Sequence, residues 1–131
     1  MIEQIEKFDN NVLSIEVIDG FTKTDEKFCQ TLFNEKIEQG FEQINVLLKL
    51  DGLKLSNSSI NALFKDSLWS LRNYKKLEHL AIVAHSKVLK TLVPLDNVFF
   101  SRGSKRRQER YFDVSQLEQA KTFVNPNKNR S

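Results

Sequence analysis

Two short, almost continuously apolar runs constrain this chain more than any other feature: residues 44–50 (I-N-V-L-L-K-L) and residues 79–84 (H-L-A-I-V-A). Strands exposed on one face alternate apolar with polar residues, whereas runs without that alternation belong to strands covered on both faces, the setting of a parallel sheet under helices. Between them, Ile60, Leu63, Phe64, Leu68 and Leu71 fall on one helical stripe and predict a helix over residues 59–73. A strand–helix–strand unit follows.

The same reading extends outward. Ile2–Lys7 and residues 12–18 form an antiparallel pair around the polar corner Asp9-Asn10-Asn11. Residues 24–39 place Phe28, Cys29, Leu32, Phe33 and Ile37 on one helix face, and Gly40 stops that helix. Ser86 caps a third helix bearing Val88, Leu89, Leu92 and Val93, which Pro94 ends. Arg110, Tyr111 and Phe112 read as the last strand, and Ser115 with Glu118 as the capping box of a final helix carrying Leu117, Ala120, Phe123 and Val124. The expected fold class is therefore α/β: a mixed, mostly parallel five-stranded sheet with four main helices and an N-terminal antiparallel strand pair. A chain of 131 residues is one domain, read as residues 1–124 with a polar tail over residues 125–131.

Composition narrows the function. A lone Cys29 forms no intrachain disulfide and no multi-thiolate zinc site, which points to a reducing cytoplasm; on the apolar stripe it reads as an inert core residue. No apolar stretch is long enough to cross a bilayer, and the acids in the first ten residues do not fit a secretion signal. A net charge of +3 is too small for global steering. Glycine-rich phosphate loops, the G-x-S-x-G elbow, H-E-x-x-H and the dinucleotide fingerprint do not occur, so no cofactor and no resident metal is expected.

Ligands of open parallel sheets gather beyond the carboxyl ends of the strands. That edge receives Asp51 and Gly52 after one strand and His85 and Ser86 after the next, and these are the first candidates for a ligand or partner site. Ser58 and Ser59 open the second helix, either as ordinary caps or as a phosphorylated start stabilised by free backbone amides. Trp69 lies off its helix's apolar stripe, where it covers a ligand pocket, joins a subunit contact or packs under a loop. Arg102, Lys105, Arg106, Arg107 and Arg110 form a basic run opposed locally by Glu109 alone; without it the chain keeps fifteen bases and sixteen acids. Such a run serves as a solvated loop or docks anionic lipid or nucleic acid, although nucleic acid is disfavoured because aromatics are not interleaved with the charges.

Several strings resemble the SpoIIAA-like family, a branch of the STAS and SEC14-like α/β domains. Leu80-Ala81-Ile82-Val83 after Tyr74-Lys75-Lys76-Leu77-Glu78 looks like that family's strand and its lead-in, and Tyr111-Phe112 with Leu117, Ala120, Phe123 and Val124 is similar to its closing strand and helix. The opening Met1-Ile2-Glu3 with residues 12–18 also fits, so the resemblance runs over residues 2–124, with residues 97–109 its least typical part. It implies a non-enzymatic regulatory or binding module. STAS-type antagonists bind a partner kinase and carry a phosphorylated serine near the position of Ser58 and Ser59, but the familiar Asp-Ser followed by small residues is missing between Asp51 and Ile60. The SEC14-like side implies an apolar ligand, with Phe28, Phe33, Phe64 and Trp69 either lining a pocket or filling it.

The leading expectation is thus a cytoplasmic module that recognises a protein partner or a small apolar or anionic ligand. Its alternatives are anionic-lipid or nucleic-acid docking through Arg102 to Arg110, and a hydrolase or transferase using His85 and Asp51 with a nearby serine. A homodimer, covering Trp69 or the edge of the first strand, is a further expectation.

Overall fold

A computed structural model of the chain describes residues 1–20, 22–53, 76–86 and 108–126. The strands are β1 (Ile2–Lys7), β2 (Val12–Asp19), β3 (Ile44–Leu53), β4 (Leu77–Ala84) and β5 (Gln108–Asp113), and the described helices are α1 (Lys23–Glu38) and α2 (Leu117–Val124), the latter entered through a 3-10 turn, Val114–Gln116. The five strands form one sheet in the order β1-β2-β3-β4-β5. β1 runs antiparallel to β2, and every other pair is parallel. The two apolar runs lie side by side and run the same way, with Leu47 beside Ala81 and Leu48 beside Ile82.

Alternation along each strand divides the core between two faces. On one, Leu13, Ile15 and Val17 of β2, Val46, Leu48 and Leu50 of β3 and Leu80, Ile82 and Ala84 of β4 pack with Leu32 and Phe33 of α1. On the other, Val12, Leu47, Ala81 and Val83 pack with Ala120 and Val124 of α2. β3 and β4 are thus covered on both sides, which is why they do not alternate in polarity. Each fully buried Leu, Ile or Val stabilises the fold by about 1.5–3 kcal/mol.

Local chemistry sets the element ends. Thr22 caps α1, its hydroxyl accepting from the Asp25 amide at 3.2 Å while the Asp25 carboxylate accepts from the Thr22 amide at 2.9 Å. At the other end Gly40 adopts φ +97°, donating to the Ile37 carbonyl at 3.0 Å, a left-handed stop that a side chain would strain. β1 carries a bulge between Gln4 and Glu6. Ser14 fills the gap, its hydroxyl accepting from the Glu6 amide at 3.1 Å and donating to the Glu6 carbonyl at 3.0 Å.

The described residues contain two α-helices of the four expected; the helices expected over residues 59–73 and after Ser86 fall outside them, as do Ser58, Ser59, Phe64 and Trp69. Four expectations change. β3 continues through Asp51, Gly52 and Leu53, because Ile18 and Asp19 of β2 supply ladder partners for Gly52 and Leu53. The capping box before the last helix is Asp113 with Gln116, not Ser115 with Glu118, because the chain leaves β5 through the 3-10 turn first. Phe28 is 45 % exposed, while Leu32, Phe33 and Lys36 form the buried stripe of α1. Phe33, at 1 % exposed, fills the core. Asn125, assigned to the tail by its polarity, is buried.

Candidate functional site

At the carboxyl edge of the sheet β4 ends at Ala84, and its continuation, His85 and Ser86, is exposed. On the β5 side the strand-end residue paired with Ala84 is Asp113. Asp113 is fixed by its own turn: its carboxylate accepts from the Ser115 amide at 3.0 Å and the Ser115 hydroxyl at 2.7 Å, and its amide donates to Gln116 Oε1 at 3.0 Å. The Ser115 amide and hydroxyl, aided by the neighbouring His85, hold the Asp113 carboxyl below the usual carboxylate range.

This arrangement is polar, solvent-facing and rigid on the β5 side. It is not assembled as a nucleophile: the Ser115 hydroxyl is committed to a carboxylate, and among the described residues His85 has no hydrogen bond to a serine. Asp51 and Gly52 belong to the β3 ladder rather than to a loop after it, and Ser58 and Ser59 lie outside the described residues. Among the described residues no group of three or more His, Cys, Asp or Glu side chains gathers to hold a metal ion. Of the basic run, Arg102, Lys105, Arg106 and Arg107 lie outside the described residues, and Arg110 is exposed, its guanidinium 5.1 Å from the Phe123 ring centroid.

The amino edge is also polar but internally bonded. Asn45, 5 % exposed, donates to the Val124 carbonyl at 2.8 Å and accepts from the His79 amide at 3.1 Å. Asn11 donates to the Gln43 carbonyl at 2.9 Å, and Asn10 to Asn125 Oδ1 at 2.9 Å. Lys36, 7 % exposed, donates to the carbonyls of Phe8 and Asn10 at 2.6 and 2.8 Å and so ties α1 to the β1–β2 turn. Loss of hydration lowers the pKa of its ammonium, against the opposing pull of Asp9 and Glu35. Burial, then Asp25 and Glu26, push the Cys29 thiol up to about 12, as suits an unreactive core thiol.

Asp113 and, beyond its reading as a helix cap, Ser115 were not singled out from the sequence, nor was the Lys36 clamp. Asp113-x-x-Gln116 directly after an aromatic strand end carried the signal for the first two. A lysine at the helical spacing of Leu32 and Phe33 carried it for the third.

No helix among the described residues is long and apolar enough to cross a membrane. No curated protein and no solved structure matches the chain. The profile of one family matches residues 12–125, from the start of β2 past the end of α2, and by that match the chain belongs to the SpoIIAA-like family.

Proposed function

We propose that this protein is a non-enzymatic regulatory module of the STAS type that recognises a protein partner at the carboxyl edge of its sheet. The observation that supports this is the contrast at that edge: His85 and Ser86 face solvent beside the turn Asp113 to Gln116, with polar groups displayed on a rigid frame and no nucleophile–base pair among the described residues. Membership of the SpoIIAA-like family supports the same reading, as a kinship of binding domains rather than of a chemistry.

The test is a photo-crosslinker at Ser86 compared with one at Glu42, near the amino edge, in the cells that make the protein. The proposal expects one specific partner captured from Ser86 and not from Glu42, and lost when His85→Glu is introduced in the folded chain. Equal capture from both positions, or capture indifferent to His85→Glu, refutes it.

A further inference from the structure

A second cluster lies away from that edge, on the sheet face that carries α2. Arg110 of β5 sits beside Ala81 in the parallel register, and His79 is one pleat along the same face of β4. Both approach Phe123 of α2: the guanidinium carbon of Arg110 is 5.1 Å from its ring centroid, and the His79 ring meets it edge-on at 5.0 Å. Among the described residues Arg110 has no carboxylate or carbonyl partner, and the ring contact leaves the N–H donors of the exposed guanidinium open to solvent.

The tautomer of His79 follows from its neighbours. Asn45 donates its amide N–H to the Val124 carbonyl, which leaves Oδ1 to face the His79 ring at 3.3 Å. Nδ1 therefore carries the proton, and in the neutral ring Nε2 is an acceptor with no partner among the described residues. A fixed fork of donors and a fixed acceptor thus flank one aromatic ring.

We infer that Arg110 and His79 form a site for a phosphate group that retains one proton, its charged oxygens accepting from the guanidinium and its O–H donating to Nε2. A sulfate satisfies the first contact and not the second. This site goes beyond the partner edge proposed above and does not depend on it.

The experiment is a titration of isotopically labelled full-length chain with inorganic phosphate at constant ionic strength, following the side-chain nitrogens of Arg110 and His79 by NMR. The site predicts saturable shifts at both, with a dissociation constant on the order of 1 mM, and sulfate weaker by about fivefold for the missing hydrogen bond. Arg110→Gln, an exposed position, weakens phosphate by about tenfold or more, and Arg110→Lys by less. Shifts that do not saturate, sulfate binding as well as phosphate, or unchanged binding by Arg110→Gln overturns the site. Vesicles of phosphatidic acid, scored against phosphatidylcholine, identify the source: retention of the wild type but not of Arg110→Gln places the phosphate on a lipid, and phosphate binding without retention places it on a soluble molecule.

Discussion

The two ends of the sheet carry similar residues and use them in opposite ways. At the amino edge Asn10, Asn11, Asn45 and Lys36 direct their polar atoms inward, to carbonyls of Phe8, Asn10, Gln43 and Val124 and to Asn125. At the carboxyl edge His85 and Ser86 face water, while Asp113 is tied to the turn that follows it and the Met1 ammonium to the Ile18 and Gly20 carbonyls and to Asp25. Polarity at a strand end therefore says little about function until the destination of each hydrogen bond is known.

The comparison breaks first at Lys36. Removing its ammonium in Lys36→Ala leaves two part-buried carbonyls without that donor and should cost about 3 kcal/mol in urea denaturation. A loss below about 0.5 kcal/mol would mean that the clamp is not holding the β1–β2 turn. Asn45→Ala removes a donor from the Val124 carbonyl and an acceptor from the His79 amide, and should cost about 2 kcal/mol, seen as a lower urea midpoint with an unchanged slope.

Cys29, partly buried, reports on the core beneath α1. The folded thiol keeps its proton to about 12, against 9.0 for the free group, so ionisation favours the unfolded chain between these values. Its contribution is intact below pH 9 and is lost as pH rises toward 12. Stability measured against Cys29→Ala should therefore fall in that window and be flat below it. A thiol that reacts with disulfide reagents at pH 8 as fast as in the denatured chain would contradict its burial. The smallest effect belongs to the open end: His85→Ala should stay within about 0.5 kcal/mol of the wild type while abolishing capture of the partner from position 86.

Much of this fold was legible before any coordinates. The runs around Val46 and Ile82 encode strands covered on both faces, and the pairing of Leu47 with Ala81 and Leu48 with Ile82 bears that out. Helix α1 was legible from its period to within a residue at each end, and Gly40 from its place after it. Two of the errors share a cause, a partner distant in sequence, whereas the misplaced capping box was a local one. Gly52 reads as lying after the strand and instead belongs to it, with Ile18 as its ladder partner. Phe28 reads as core, yet the buried stripe is centred on Leu32, Phe33 and Lys36, with Lys36 drawn inward by carbonyls 26 and 28 residues away. At the candidate site His85 and Ser86 were found from strand order, whereas Asp113 was missed because only the β4–β5 register brings it alongside Ala84.

Amide hydrogen exchange of the protein, alone and with the partner captured from Ser86, tests the division between the ends most directly. The account predicts slowed exchange on binding at His85, Ser86, Ser115 and Gln116, with Asn11, Val12, Ile44 and Asn45 equally protected in both states. Slowed exchange confined to the amino edge, with His85 to Ser86 and Ser115 to Gln116 unaffected, would contradict it.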